Sequence, residues 1–144
     1  MAIQAKKIVM VFGVFDGIHD GHRNLFEQAR KYGDELVAVV CRDEMTTQLK
    51  GKLPKFSESE RVATLKKDAL IANAVLGDEY LSSYNILFQL KPNAICLGYD
   101  QQTLADDIVP WLKQQKLDIQ VIRLKPYQPE MLHSSLLNQG WFGF

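Results

Sequence analysis

Residues 9–30 read VMVFGVFDGIHDGHRNLFEQAR, and their order decides the architecture. The run Ile8-Val9-Met10-Val11-Phe12 is apolar without alternation, the mark of a strand covered on both faces. Gly13 ends that strand, read over residues 6–13. After a turn, Leu25, Phe26, Ala29 and Tyr32 recur three and four residues apart, which predicts one buried helical face over residues 20–32. Gly33 reads as the helix stop. A second run of the buried kind, Leu36-Val37-Ala38-Val39-Val40, follows within residues 35–41. Strand, helix and strand in so short a span form a βαβ unit, with parallel strands and a right-handed crossover.

The rest of the chain extends this pattern. Residues 42–56, RDEMTTQLKGKLPKF, are polar and punctuated by Gly51 and Pro54, and read as a loop with a short helix at 44–50. Ser57 with Glu60 three positions on is a capping-box signature for a helix continued by Val62, Leu65 and Ala69. Residues 73–76, 94–97 and 119–124 are strand candidates. Helices are expected at 83–90, ended by Pro92, and at 103–115, where Pro110 threatens a break. A last short helix is expected near Ser134. The sum is an α/β fold, a Rossmann-like doubly wound parallel sheet with helices on both faces and one domain over residues 1–144. Such sheets bind ligands at the carboxyl ends of their strands, where strand order reverses. The polar clusters at 13–22, 42–55, 98–102 and 125–135 each follow a strand.

Composition narrows the function classes. Seventeen basic residues balance 17 acidic ones over 144 residues, which leaves no electrostatic footprint for nucleic acid or for an anionic membrane surface. No apolar run approaches a membrane span. Cys41 and Cys96, the only cysteines, each sit in a buried-type strand and read as packed free thiols. With no signal-peptide pattern in view, this predicts a reducing, cytoplasmic setting.

The turn His19-Asp20-Gly21-His22 admits three readings. Histidines three apart on a helix share a face and can ligate a metal, although zinc wants further His or Cys ligands and His133 lies far off. The pair can also simply cap the turn. The third reading joins the preceding strand, the glycines at 13, 17 and 21, and the helix that follows: helix N-terminal amides and imidazole N–H donors together suit a phosphate. Neither the dinucleotide fingerprint nor a P-loop is present, since Gly13-Val14-Phe15 lacks the second glycine and no Gly-Lys-Ser/Thr follows. Of the polar residues elsewhere, Lys50 and Lys52 form a small basic pair that is either a solvated face or a phosphate contact. Arg61, in the first turn of its helix, is poorly placed for the helix dipole, which favours a bound anion. Ser134 and Ser135 suit an N-cap or a phosphate contact. Gly98 and Asp100 follow a strand, and Asp100 suits ribose hydroxyls. Tyr127 either stacks on a base or packs.

As a whole, Gly13-Val14-Phe15-Asp16-Gly17-Ile18-His19-Asp20-Gly21-His22 resembles the G-x-F-D-x-x-H-x-G-H signature of the cytidylyltransferase-like nucleotidyltransferases. Residues 34–44, Leu49-Lys50-Gly51-Lys52, Glu58–Arg61, Leu97-Gly98-Tyr99-Asp100-Gln101, Arg123, Tyr127 and His133-Ser134-Ser135 are similar to the archaeal-type FAD synthetases. Glycerol-3-phosphate cytidylyltransferase, a more distant relative, ends in R-T-x-G-I-S-T-T. Here Gln128 stands at the arginine and Ser134-Ser135 at the threonine pair, which favours the FAD-synthetase branch.

The resemblance implies nucleotidyl transfer: an acceptor phosphate attacks the α-phosphorus of ATP or CTP, and pyrophosphate leaves. The implied reaction is adenylyl transfer from ATP to FMN, with cytidylyl transfer to glycerol 3-phosphate, or a non-catalytic nucleotide-binding regulatory module, as alternatives. The implied roles are donation to the triphosphate by His19 and His22, and backbone contacts from Val14, Phe15 and Gly21. Asp16 would hold Mg²⁺ or orient the acceptor, and Lys50 or Lys52, with Arg61, would contact phosphates. Gly98, Asp100, Tyr127, Ser134 and Ser135 would line the nucleotide site. A homodimer is also implied, to which the apolar end at 140–144 is suited.

Overall fold

The structure, a computed structural model, describes residues 5–126. Its elements run β1 (Ile8–Gly13), α1 (Asp20–Arg30), β2 (Glu35–Val40), α2 (Asp43–Lys50), α3 (Glu58–Lys66), β3 (Asn73–Leu76), α4 (Asn85–Leu90), β4 (Ala94–Leu97), α5 (Gln102–Gln115) and β5 (Gln120–Arg123). The strands form one sheet in the order β3-β2-β1-β4-β5, and every pairing is parallel. The doubly wound sheet expected from the sequence is therefore present. Strand order reverses between β1 and β4, so the crevice at their carboxyl ends is where a ligand belongs.

Handedness explains the two layers. The sheet grows one way through β1-α1-β2 and the other way through β4-α5-β5, so right-handed crossovers put α1 and α5 on opposite faces. Leu25, Phe26 and Ala29 of α1 and Leu65 of α3 pack with Val9, Val11, Leu36 and Ala38 on one face. Leu104, Ile108 and Leu112 of α5, with Met45 and Leu87, pack with Met10, Phe12, Val39 and Ile95 on the other. The alternation of side chains along β1 feeds both cores, which is why its sequence is apolar throughout. No helix among the described residues is long and apolar enough to cross a membrane.

Three boundaries differ from the sequence reading. The stretch at 42–50 is a formed helix, α2, beginning at Asp43. Helix α4 starts at Asn85, not at 83, because the Asp78 carboxylate accepts the amides of Asn85 (2.7 Å) and Ile86 (3.0 Å) and sets the first turn there. Pro110 lies inside α5 without ending it, since Ile108 and Leu112 on either side are held in the core. The capping box of Ser57 and Glu60 forms as read. The helix expected near Ser134 lies outside the described residues.

Gly33 is not the helix stop. Lys31 caps α1, and Gly33 instead lies against the start of β1, where a Cβ would come within 2.9 Å of the Lys7 carbonyl oxygen and 3.3 Å of the Val9 amide nitrogen. Backbone, not a yielding side chain, fills that space. Gly33→Ala is expected to destabilise the fold by about 1–3 kcal/mol, through overpacking at the β1–β2 junction. Urea denaturation of the two proteins checks this, with a lower midpoint and an unchanged slope as the expected outcome.

Candidate active site

The histidine turn is built from β1 outward. Phe15 adopts a left-handed backbone (φ 54°), rare for a side chain of its size, and its ring is fully buried. The ring folds back over Gly13, where any Cβ would come within 2.7 Å of it, so Gly13 and Phe15 are one design. The same ring packs edge-on to His22 (5.5 Å between centroids) and against Phe26 (5.7 Å), which seats the start of α1.

The two imidazoles then cap that helix reciprocally. His19 Nδ1 accepts the Gly21 amide at 3.0 Å, and His22 Nδ1 accepts the His19 amide at 3.2 Å. A neutral imidazole whose Nδ1 is an acceptor carries its proton on Nε2. The capping and phosphate readings of the pair are thus complementary: capping fixes the tautomer that makes each ring an Nε2–H donor. The rings stack with centroids 3.8 Å apart, so the two donors sit side by side. Burial lowers the pKa of His19 from 6.5, partly opposed by Asp20, and keeps the ring neutral at pH 7. The metal-pair reading finds no support among the described residues, where no group of three or more His, Cys, Asp or Glu is placed to hold an ion.

Arg61 does not fit the phosphate contact expected of it. Its side chain is fully buried. Nη1 donates to the carbonyls of Val14 (2.7 Å) and Cys41 (2.8 Å), Nε to that of Phe56 (3.0 Å), and Nη2 to Asp43 (2.6 Å). The guanidinium is committed to protein acceptors at the ends of β1 and β2. The dipole argument from the sequence weighed only its own helix and missed Asp43. Asp43 and Glu58 also cap each other's helices, the amide of each donating to the carboxylate of the other (2.8 and 3.2 Å).

Asp16 departs from expectation as well. Its two carboxylate oxygens accept the amides of Lys55 (2.7 Å) and Phe56 (2.8 Å), 39 and 40 residues away. Mg²⁺ typically takes one or two carboxylates along with substrate phosphates. Each Asp16 oxygen gives one lone pair to an amide and keeps another, so the side chain would still have room to hold such an ion, as hydrogen-bonded carboxylate ligands do.

Lys50 ends α2 half-buried, while Lys52 is exposed. Burial lowers the pKa of Lys50, offset in part by Cys41 and Asp16, with Lys52 and Arg61 acting to lower it further. Across the crevice, burial raises the pKa of Asp100 against the opposing effects of its own backbone amide, Arg123 and Lys50. Lys50 thus feels acidic groups from both walls. Asp100 Oδ1 is buried with no hydrogen-bond partner among the described residues, which leaves an acceptor for a ligand's donor. Gln101, which the sequence reading did not assign to the site, staples the two walls: Nε2 donates to the Phe12 carbonyl (2.9 Å) and Oε1 accepts the Gly98 amide (2.8 Å). Arg123 braces the same loop through Gln102 and the Tyr99 carbonyl. Val14, Phe15, Asp16, His19, Gly21, His22, Lys50, Lys52, Gly98 and Asp100 all lie in the turns and helix ends at the carboxyl edge of the sheet. Tyr127, Ser134 and Ser135 lie outside the described residues.

Comparison with known proteins agrees with this geometry. The family model for cytidylyltransferase-like proteins matches residues 10–137. An FAD synthase of Thermoplasma volcanium is 34% identical over 127 residues, 88% of either chain. An FAD synthase of Thermococcus sibiricus is 38% identical over 123 residues, 85% of this chain and 82% of that one. A crystal structure described as the lipopolysaccharide core biosynthesis protein of Thermoplasma volcanium superposes with a TM-score of 0.79 at 32% identity, over 86% of this chain and all of that one. Signature, sheet order and relatives coincide: the chain belongs to the cytidylyltransferase-like family of nucleotidyltransferases.

Proposed function

We propose that the chain transfers the adenylyl group of ATP to FMN, forming FAD and pyrophosphate. One observation carries the reading: His19 and His22 each accept a backbone amide at Nδ1, which leaves the ring proton on Nε2, at the N-terminus of α1 beside the β1–β4 crevice. The FAD synthase relatives, which match over most of the chain, support ATP and FMN as the substrate pair.

In this reading an oxygen of the FMN phosphate attacks the α-phosphorus of ATP in line. The bond to the oxygen bridging the α- and β-phosphorus breaks, and its electron pair leaves with pyrophosphate. The attacking phosphate is already anionic at neutral pH, so no general base is needed. Catalysis then reduces to alignment and to neutralising charge as it builds on the phosphates. His19 and His22 donate through Nε2–H to that charge, and Lys50 adds a cation. Gly98 lies against the nucleoside, whose ribose hydroxyls donate to the orphan Asp100 Oδ1. Lys52 meets phosphate on the acceptor side. Tyr127, Ser134 and Ser135, by their likeness to the family's motif, close the nucleotide site. Mg²⁺ enters as part of the substrate, on the triphosphate.

The substrates are tested by pairing ATP or CTP with FMN or glycerol 3-phosphate in the presence of Mg²⁺ and detecting pyrophosphate. FAD and pyrophosphate from ATP plus FMN alone is the expected outcome. CDP-glycerol would transfer the assignment to the cytidylyltransferases, and nucleotide binding with no pyrophosphate from any pair would leave a regulatory module.

Asparagine separates the two jobs of each histidine, because its Oδ1 can accept as Nδ1 does while nothing replaces Nε2–H. His22→Asn is expected to lower kcat by about 10²–10³ with little change in thermal midpoint. A variant that keeps its turnover removes His22 from the mechanism.

Stability should also fall in acid. The folded pKa of His19 lies below its unfolded value of 6.5. Between those values the unfolded chain binds a proton that the folded chain refuses, so stability declines as pH falls through that window. Protonated Nδ1 also stops accepting the Gly21 amide. His19→Asn should flatten the stability–pH profile there, as read by thermal melts across the range.

A further inference from the structure

The segment between α2 and α3, residues 51–57, is a strap that runs from the end of α2 to the histidine turn. Lys50 stands at its entrance, and Lys52 and Lys55 lie along it. Its side chains are largely exposed: Leu53 is 69% accessible, and Phe56 38%. A solvent-facing loop with so little apolar burial does not hold its position by packing. What holds it is polar and converges on Phe56. The Phe56 amide donates to Asp16 Oδ1, the adjacent Lys55 amide donates to Asp16 Oδ2, and the Phe56 carbonyl accepts from Arg61 Nε. Asp16 belongs to the histidine turn, and Arg61 also grips Val14 in that turn. The strap is therefore tied to the turn, with only indirect attachment to the core.

We propose that Asp16 is a positioning residue, which clamps the strap to the histidine turn and so fixes Lys52, on the strap, against the reacting phosphates. A carboxylate suits the task because it can accept two backbone amides at once, and bonds to a charged acceptor are about twice as strong as neutral ones. The clamp sits at the far end of the strap from Lys50, whose own end is set by α2. Loss of the clamp frees one end of a short loop and leaves the helices, which cap each other through Asp43 and Glu58, in place. The catalytic part of the proposal rests on nucleotidyl transfer as proposed above. The clamp itself does not.

The test uses the full chain and three readouts. In amide hydrogen exchange without substrate, Asp16→Ala should cost Lys55 and Phe56 about tenfold or more in protection, with the amides of β1 and β2 unchanged. Unchanged protection of the two amides overturns the clamp whatever the substrates prove to be. In turnover, Asp16→Asn keeps one acceptor and loses the other, and is expected to lower kcat by about tenfold to a hundredfold. The free Mg²⁺ needed for half-maximal rate should stay unchanged. A rise of about tenfold or more in that requirement would make Asp16 a metal ligand instead. The third readout is a double-mutant cycle. If Asp16 acts through the strap, Asp16→Asn added to Lys52→Ala should cost little beyond the lysine change alone. Additive losses, or a Lys52→Ala change without effect on turnover, would show that Asp16 does not work by placing Lys52. A purely structural clamp would lower the thermal midpoint without this non-additivity.

Discussion

A single buried guanidinium holds the working edge of this protein together. A fully desolvated cation is tolerated only when its donors are satisfied, and Arg61 spends four hydrogen bonds on three carbonyls and a carboxylate. The acceptors come from the turn after β1, the end of β2, the strap and the start of α2. Four segments remote in sequence are thereby fixed to one point at the carboxyl edge of the sheet. The site above them inherits that rigidity, because both the backbone of Val14 and the strap are held by the same side chain.

On that base the histidine turn reaches a geometry that local propensity alone would not give. Phe15 is held left-handed because its ring fills the space left by Gly13 and buttresses His22. The two imidazoles then satisfy the helix end through Nδ1, which leaves the proton of each ring on Nε2, with His22 itself buried against Phe15. The opposite wall is made by Gln101, which bridges β1 and β4 across the point where strand order reverses. Nucleotidyl transfer to a phosphate asks little acid–base work of its enzyme and a great deal of alignment. A rigid turn with fixed donors is the form that such a requirement takes.

What could be read in the sequence was local. The βαβ start, the Ser57–Glu60 capping box and the histidine turn are each written in local sequence; the first two form as read, and the turn opens α1 where expected, with its histidines as caps. The pieces that were misread or missed are those whose partners are distant. Asp16 finds its amides 39 and 40 residues on, Arg61 reaches a carbonyl 47 residues back, and Gln101 reaches one 89 residues back. Nothing in the composition of those stretches announces the pairing. Arg61 misled because a lone cation in a first helical turn implies an anion, and the anion proved to be Asp43 of a neighbouring helix. Gly33 misled because a helix-ending glycine and a close-packing glycine look alike in sequence.

The most direct test of the paired-donor site is nitrogen-15 NMR of the labelled histidines, with and without a non-hydrolysable ATP analogue. His19 and His22 should both be neutral Nε2–H tautomers near pH 7, and both Nε2 resonances should shift on binding while Nδ1 stays an acceptor. Nδ1–H tautomers, or rings that the analogue leaves unperturbed, would contradict the assignment of the turn as the triphosphate site.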